Sequence, residues 1–378
     1  MRRAFALLIT LTACSDLRLP TDPSPLTATP GSRVASSLAD LDWGHSTTGY
    51  DMLLLGQING STTVPEAINE AGQVVGYYYA ETSVGQRQQA FLWENGVFTP
   101  LGTLGGNSSM TTFISNSGAV VGWAFDAYEQ MRPVVWERGA NGYAIRELPL
   151  LSSWGGNGFA RSMNAKGEIV GASTSELGIQ HATRWTKHGT PVDLGVLEGS
   201  LISSADFINK SGTIVGFNVS FSPFASTPTV WDKHDNASVL AVPDIASRNI
   251  ETSQAINERG DVTCSFQDAN FFVTSACVVR DGQYQLLPTL GSCYTFPFGI
   301  NDASDVAGAS NDTQSFQHAV VWPGDGSALI DLGFATVDGR YSIAHGINNN
   351  GLVTGVSATY NVATGVWRIG GAIWRARR

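Results

Sequence analysis

The sequence predicts an all-β fold: a seven-bladed β-propeller of about four-stranded blades. Three observations support this prediction. Short apolar runs return in a pattern that repeats every 44 to 49 residues, and such a period is typical of propellers and solenoids. Only 14% of the 378 residues are charged, whereas 42 are glycine, which favours strands and tight turns over long helices. The last repeat also lacks one strand, and a spare copy of that strand precedes the first repeat.

The most regular part of the repeat is an Asn-x-x-Gly turn between two apolar runs. Its first copy, AINEAGQVVG, covers residues 67–76, and the second copy has Ser115 in place of Asn. Asn suits the first position of a tight turn because its side chain bonds backbone amides across the turn, and Gly accepts positive φ at the fourth. We assign this structural role to Asn69 and Gly72, Asn164 and Gly167, Asn209 and Gly212, Asn257 and Gly260, and Asn348 and Gly351. Glu70 is expected at an exposed turn position. A ligand-binding ring of Asn side chains is the less favoured alternative.

Two further sequence lines complete each repeat. The line QAFLW, at residues 89–93, recurs with Trp93, Trp136, Trp185, Trp231, Trp322 and Trp374, while the fifth copy has Arg280 there. The line LGTLGG, at residues 101–106, recurs less strictly at Leu148, Leu194, Leu240, Leu287 and Leu332. Residues 67–78 and 89–101 then form two hairpins, so each repeat has the strand content of a propeller blade. A parallel β-helix is the rival architecture, but its turns are usually shorter than this period.

The ends of the array predict how the ring closes. The seventh repeat stops after Trp374, while LLGQING at residues 54–60 supplies the missing line before the first repeat. We therefore predict that residues Met52–Gly56 pair beside the strand Ala372–Trp374, which would remove an exposed sheet edge. An alternative boundary would make residues 53–56 the first strand of an intact first blade. The three-residue link 94–96 argues against it, because so short a link makes a hairpin within one sheet.

The N-terminus is typical of an export signal. Two arginines precede the apolar run 4–13, which is too short to span a bilayer and matches a secretory signal peptide. The run ends Leu-Thr-Ala-Cys, which resembles a bacterial lipobox. That resemblance implies cleavage before Cys14 and acylation of its thiol. An ordinary signal peptide with an incidental cysteine is the alternative.

These features divide the chain into three parts. We expect a lipoprotein signal peptide at residues 1–13, a Pro-, Ser- and Thr-rich tether at 14–40 and the propeller domain at 41–378. Lipid anchoring on Cys14 would hold the exported protein in the cell envelope or at the cell surface. The outer membrane is favoured because Ser15, rather than Asp, follows the cysteine.

The repeat resembles the bacterial extracellular HAF family, which is named after a His-Ala-Phe tripeptide. The tripeptide appears here in degenerate form as Gln89-Ala90-Phe91, His181-Ala182-Thr183 and His318-Ala319-Val320. The lines Ile-Asn-x-x-Gly-x-Val-Val-Gly and Leu-Gly-Thr-Leu-Gly-Gly match better. The resemblance covers nearly all of the chain after the tether. It implies an exported repeat domain and carries no established reaction or ligand.

No candidate site emerges clearly from the repeated positions. The aligned Trp side chains suit inter-blade packing better than carbohydrate stacking, because each lies beside small apolar residues in a strand. His181 and His318 hold equivalent positions that we expect to lie far apart, and Asp193 and Asp331 read as solvated strand residues. No metal-ligand spacing, nucleophile elbow or calcium loop is present. We therefore predict no catalytic residues, no metal and no cofactor.

Three cysteines follow Cys14, all in the fifth repeat. Export favours their oxidation, and an odd number leaves one thiol over. Cys264 and Cys277 lie on strands predicted to be neighbours and are the preferred pair. Pairing of Cys277 with Cys293 and three buried thiols remain open alternatives.

The function predicted from these features is a binding or scaffold module for an unknown extracytoplasmic ligand. The formal net charge of −10 repels phosphate backbones, so nucleic acid is not an expected partner. The partners we expect are the membrane, through Cys14, and an unknown glycan or envelope protein, with the chain itself monomeric. The alternative is a glycan-active hydrolase or lyase on a propeller scaffold, which rests on fold analogy alone. Two or more carboxylates converging near the axis on non-repeated positions would favour the enzyme.

Overall fold

The structure, a computed structural model, describes residues 37–46, 48–222, 224–240, 251–267, 274–336, 339–361 and 366–377. These residues form β-strands almost throughout, and their only helical element is the short 3-10 turn Leu38–Asp40. No helix in the described ranges is long and apolar enough to cross a membrane. The predicted all-β class is therefore confirmed.

The strands group into four-stranded antiparallel units that follow the sequence repeat. Units one to three comprise Ser61–Ile68, Val74–Thr82, Gly85–Glu94 and Val97–Pro100; Gly105–Ile114, Val120–Asp126, Met131–Gly139 and Gly142–Glu147; and Gly158–Met163, Ile169–Thr174, Gln180–Trp185 and Pro191–Asp193. Units four to six comprise Ile202–Ile208, Ile214–Phe221, Phe224–Trp231 and Ala237–Val239; Glu251–Ile256, Val262–Gln267, Thr274–Arg280 and Gln283–Leu286; and Gly291–Ile300, Val306–Asp312, Gln317–Trp322 and Ile330–Asp331. A seventh group contains Gly339–Ile347, Val353–Asn361 and Val366–Arg375.

The fourth strand of the seventh unit comes from the N-terminal side of the chain. Strand Asp51–Ile58 pairs antiparallel with Val366–Arg375, with Met52 opposite Trp374 and Leu54 opposite Ala372. This is the pairing predicted from the missing and spare Leu-Gly lines. A two-residue strand, Gly44–His45, adds to the outer edge of Asp51–Ile58.

Contacts between units follow a cycle. The first strand of each unit touches the first strand of the next, and that of the seventh unit touches that of the first. The first strands of neighbouring units therefore lie side by side, at the inner edge of each unit. The outer strands follow them in order within each unit, so the side chains of the first strands decide what lines the centre.

The Asn-x-x-Gly turns join neighbouring units as well as neighbouring strands. In the first turn, the Gly72 N–H donates to the Asn69 carbonyl at 3.0 Å and Gly72 has a φ of +77°. Each Asn side chain also donates from Nδ2 to the turn carbonyl of the next unit. These bonds run from Asn69 to Ser115, Asn164 to Asn209, Asn209 to Asn257, Asn257 to Asn301, Asn301 to Asn348, and Asn348 back to Asn69. The turns thus have a second role that the sequence analysis did not assign.

Glu70 also has a role that its turn position did not suggest. Its carboxylate accepts the backbone N–H of Asn349 at 3.1 and 3.2 Å, across the boundary between units seven and one. Glu70 lies in the turn and is partly exposed, as predicted, but this bond between units was not expected. The side chain links two units because the turns of successive units lie side by side.

The glycine that ends the Val-Val-Gly line is required by close packing rather than by positive φ. In unit one, a Cβ on Gly76 would collide with the Val64 carbonyl and the Pro65 Cα on the adjacent first strand. Both obstructing groups are backbone atoms, which cannot move aside. In unit five the equivalent residue is Cys264, which forms a disulfide with Cys277 directly opposite, at a Cα–Cα distance of 5.0 Å. The side chain of Cys293 lies outside the described part of the structure.

The folded region begins earlier than expected. The predicted tether extended to residue 40, but Leu38–Asp40 forms a 3-10 turn and the Trp43 indole donates to the Leu38 carbonyl at 2.8 Å. Leu38 packs with Leu352 and with buried residues of unit one. The last three residues of the predicted tether thus contact the domain, through the apolar Leu38. Cys14 and the predicted signal peptide fall outside the described residues.

Candidate functional site

The innermost strand of every unit contains a β-bulge at the same place. In unit one, Pro65 pairs with Gly76 and Ala67 pairs with Val75, so Glu66 is the extra residue. A bulge lets one side chain leave the regular alternation of the strand. The repeated bulge therefore offers one position per unit, near the axis, where a side chain is not needed to pair or pack within the sheet.

The bulge positions are occupied by residues of unlike chemistry. They hold Glu66, Thr112, Arg161, Asp206, Gln254, Phe298 and His345 in units one to seven. The apolar residue two places further on and the turn Asn or Ser three places further on repeat from unit to unit, whereas this position changes between acid, base, amide, hydroxyl and aromatic side chains. A requirement of the fold would repeat with the fold. The non-repeated chemistry therefore makes this set, which we call the bulge ring, the candidate functional site.

Several members of the bulge ring are held in place by the next unit. The Nδ1–H of His345 donates to the Pro65 carbonyl at 2.6 Å, so Nε2 carries the lone pair when the ring is neutral. The Thr112 hydroxyl donates to the Ala160 carbonyl at 3.0 Å. Such contacts fix side-chain orientation before any ligand arrives, and this pre-organisation lowers the entropic cost of binding.

Opposite charges lie together in the ring. Arg161 reaches Asp206 at 3.6 Å, and the Arg161 side chain is 45% exposed against 13% for Asp206. Burial raises the pKa of Asp206, while Arg161 and the Ser204 hydroxyl partly offset that effect. Burial likewise raises the pKa of Glu66, against the opposing positive charges of His345 and Arg161. Two carboxyls and two basic groups thus act on one another around the axis.

The repeated residues singled out from the sequence have structural roles. The aligned Trp side chains are at most 3% exposed, which excludes them as stacking platforms for a ligand. Several bond the preceding unit: the Trp185 indole donates to the Pro149 carbonyl at 2.6 Å and the Trp231 indole to the Leu194 carbonyl at 3.0 Å. Arg280, which replaces the Trp in unit five, donates instead to the Ser304 carbonyl of unit six at 3.2 Å.

The two repeated histidines each pair with a carboxylate of their own unit. His181 bonds Asp193 at 2.9 Å, and His318 bonds Asp331 at 2.9 Å. The two aspartates also accept the N–H of the glycine two residues on. Asp193 and Asp331 are strand residues with side chains 44% and 27% exposed, so they are solvated as predicted, but the bond of each to a histidine was not expected. Each ends its strand and holds a His side chain from the neighbouring strand, an arrangement that the separation of the two lines in sequence concealed.

An open cavity of about 490 Å³ lies at the seam where the N-terminal strand meets the last one. Asp51 lines it and bonds His45 at 3.0 Å, Arg375 at 3.2 Å and Arg377 at 3.4 Å. The charged side chains that line this cavity pair with one another, so we interpret it as a gap between the two strands rather than a ligand site. Across the described ranges, no group of three or more His, Cys, Asp and Glu side chains is arranged to hold a metal ion.

The sequence analysis missed the bulge ring, although a signal for it exists. Each member stands three residues before the turn Asn, or before Ser115 in unit two. Once the repeats are aligned, this column holds a carboxylate in two units and a basic side chain in two others, while the columns two and three residues further on repeat an apolar residue and Asn. The repeated residues are the ones that the fold itself requires, so they did not point to the bulge ring.

No protein-family model matches the sequence, and no curated protein matches it significantly. Solved structures do resemble the fold. A puromycin hydrolase aligns with a TM-score of 0.53 at 13% identity, over 93% of this chain and 56% of that one. Oligogalacturonate lyase in complex with manganese aligns with a TM-score of 0.53 at 8% identity, over 89% of this chain and 96% of that one. TolB from Acinetobacter baumannii aligns with a TM-score of 0.43 at 11% identity, over 81% of each chain.

The first two of these structures are β-propeller proteins. This chain therefore has a β-propeller fold. It spans little more than half the length of the puromycin hydrolase. Identities this low establish the architecture alone.

Proposed function

We propose that the chain is an exported, envelope-anchored binding module built as a closed, seven-bladed β-propeller, with its ligand site at the bulge ring. Three features support the closed ring: the cycle of contacts between first strands, the Asn bond from unit seven to unit one, and the pairing of Asp51–Ile58 with Val366–Arg375. The resemblance of the repeat to the HAF family fits an exported protein of this kind. The N-terminal signal supports a lipid anchor on Cys14, and the chain is proposed to act as a monomer.

One observation carries the ligand site: a position that the fold repeats seven times holds side chains that the fold does not repeat. The ring combines carboxylates, a guanidinium, an imidazole and a hydroxyl around one axis, beside partly exposed apolar side chains such as Val64 and Ile343. A concave apolar site with a few convergent polar groups is the usual form of a small-ligand site. The acidic surface disfavours nucleic acid as the ligand.

The test is a binding screen with the chain from residue 14 onward, carrying Cys14→Ser to prevent acylation. Glycans and envelope proteins are offered to this protein and to an Asp206→Asn variant. A ligand of the bulge ring should bind the parent chain, and should bind the Asp206→Asn variant at least about tenfold more weakly. The reason is that hydrogen bonds to charged groups contribute about 1.5–3 kcal/mol. Lys166→Ala, on the turn side of unit three, serves as the control. A ligand whose affinity is indifferent to Asp206 and Arg161 would refute the placement of the site.

A second function, hydrolysis or lyase cleavage of a glycan, is favoured by Glu66 and Asp206. They are two carboxyls on non-repeated positions near the axis, and burial raises the pKa of each. A raised pKa favours the protonated carboxyl that general-acid catalysis requires. The enzyme would release shortened or unsaturated products from a glycan panel, and Glu66→Gln and Asp206→Asn would each abolish release while the fold persists. Binding without turnover would retain the binding module instead.

A further inference from the structure

One wall of the axial site is lined by three aromatic rings. Tyr294, Phe296 and Phe298 alternate along the first strand of unit six and are partly exposed. Their ring centroids are 6.3 and 6.4 Å apart, and successive ring planes differ by only 11° and 20°. Phe298 then meets the His345 ring edge-on at 5.7 Å. We call these three rings the aromatic stripe. One of them, Phe298, is also a member of the bulge ring.

The fold does not require this stripe. The equivalent first-strand positions of unit one hold Thr62, Val64 and Glu66, and the sheet forms there equally well. The three nearly parallel rings remain partly exposed beside the bulge ring, so a flat ligand face can pack on them. The stripe is therefore a second non-repeated feature of the axis, independent of the charges in the bulge ring.

A matching surface lies in unit three, nearly across a ring of seven units. There the Arg161 guanidinium lies over the Phe159 ring, 5.0 Å from its centroid. Phe159 stands two residues before the bulge, so it shares the face of Arg161 and is partly exposed. A flat ligand in the axial site would meet an aromatic wall on one side and a guanidinium-covered ring on the other.

The polar groups restrict the class of that ligand. Glu66 and Asp206 are offset by Arg161 and His345, so the ring selects neither a polyanion nor a polycation. One step from the bulge, Val64, Met110 and Ile343 are apolar, so an extended peptide there would leave buried amides without partners. A sugar ring satisfies both requirements, since its C–H face packs on aromatic rings and its hydroxyls bond carboxylates, Arg and His.

We infer that the axial site binds a neutral glycan, with sugar rings packed on the aromatic stripe and hydroxyls bonded to the bulge ring. This inference rests on the proposed function and adds to it the ligand class. Phe296, at the centre of the stripe, stacks against a sugar. Asp206 accepts hydrogen bonds from sugar hydroxyls, and Arg161 donates to them.

The experiment is calorimetric titration of the residue 14–378 chain, carrying Cys14→Ser, with cellohexaose, xylohexaose, laminarihexaose and chitohexaose. Hexameric oligogalacturonate and a mixed decapeptide library are the anionic and peptide probes. At least one neutral hexasaccharide should bind. Phe296→Leu keeps apolar volume without a flat face and should weaken that binding about tenfold, whereas Phe296→Tyr should retain it. Tyr284→Ala, at an exposed outer-strand aromatic, should change nothing.

Each outcome separates the ligand class from the site. Failure of all four neutral hexasaccharides overturns the glycan inference. Binding of the oligogalacturonate or the peptides that depends on Asp206 but not on Phe296 also overturns it, and leaves the axial site standing. A bound hexasaccharide that is indifferent to both residues would refute the proposed site. Unchanged thermal unfolding of Phe296→Leu ensures that lost affinity does not report lost folding.

Discussion

Substitutions of Asn209 distinguish the two roles of the repeated turn, which are to close its own hairpin and to bond the next unit. Asn209 is 4% exposed. Its Oδ1 accepts the Thr213 N–H at 3.0 Å within its own turn, and its Nδ2 donates to the Asn257 carbonyl of the next unit at 3.2 Å. Asn209→Ala removes both bonds. Asn209→Ser copies the natural turn of unit two, where the Ser115 hydroxyl accepts the Ala119 N–H at 3.0 Å and the turn stays closed.

The magnitudes follow from which groups are left unpaired. In the Ala variant, the Thr213 N–H loses its partner, which costs about 1–3 kcal/mol. The Asn257 carbonyl loses one of two bonds, because the Gly260 N–H still donates to it at 3.1 Å, and this costs about 0.5–1.5 kcal/mol. Asn209→Ala should therefore lower the free energy of unfolding by about 1.5–4.5 kcal/mol, and Asn209→Ser by about 0.5–1.5 kcal/mol.

The assay is urea unfolding followed by tryptophan fluorescence, since five of the aligned Trp side chains are less than 2% exposed and report on core packing. The reverse change tests the same reasoning by gain. Ser115→Asn supplies the missing Nδ2 donor toward unit three and should raise the free energy of unfolding by about 0.5–1.5 kcal/mol. Equal losses for the Ala and Ser variants, together with no gain for Ser115→Asn, would refute the inter-unit role.

Four further results are expected. Gly72→Val should lower the thermal midpoint more than Glu70→Ala, because a β-branched residue is strained at a φ of +77°; equal midpoints would contradict the turn geometry. Deleting residues 50–58 should expose the edge of the last unit, so limited proteolysis that leaves the domain intact would argue against closure. Mass spectrometry should find an acylated Cys14 at the mature N-terminus, and an unmodified thiol would exclude the anchor. Burial lowers the pKa of His318, but the bonds to Asp331 and Asp312 outweigh this effect, so the pKa is raised. The stabilisation that protonated His318 provides is full below pH about 6.5 and falls as the pH rises through the higher folded pKa. His318→Gln should therefore cost more at pH 5.5 than at pH 8.5, and an equal cost would be the contrary result.

The repeat made the architecture predictable from the sequence. Turn, Trp and Leu-Gly lines report local requirements: a tight turn, a buried ring and a strand end. Each requirement recurs every 44 to 49 residues, so the units and the pairing of residues 52–56 with 372–374 followed without knowledge of the axis. The outcome for Cys264 and Cys277 followed in the same way, since neighbouring strands place them opposite each other.

The candidate site was not predictable by the same reasoning. The bulge that frees Glu66 and Asp206 is invisible in the apolar pattern, because it shifts the register by one residue without a turn signal. The approach of Glu66 to Arg161 and His345 depends on the ring bringing first strands together, which is a long-range property. The His181–Asp193 pair was missed for a similar reason, since it crosses between two lines of the repeat that had been considered separately.

The strand that completes the last unit lies at the opposite end of the chain from its partner. Asp51 and Arg375, bonded at 3.2 Å, are 324 residues apart in sequence. A nascent chain can therefore build its early units from local hairpins but cannot finish the last unit until residue 375 has emerged. Until then the apolar Leu53, which faces Ile373 in the final pairing, has no partner strand on that side. Loop closure over such a span is slow, so this interval is when the chain is most open to edge-to-edge aggregation and most in need of a holding chaperone.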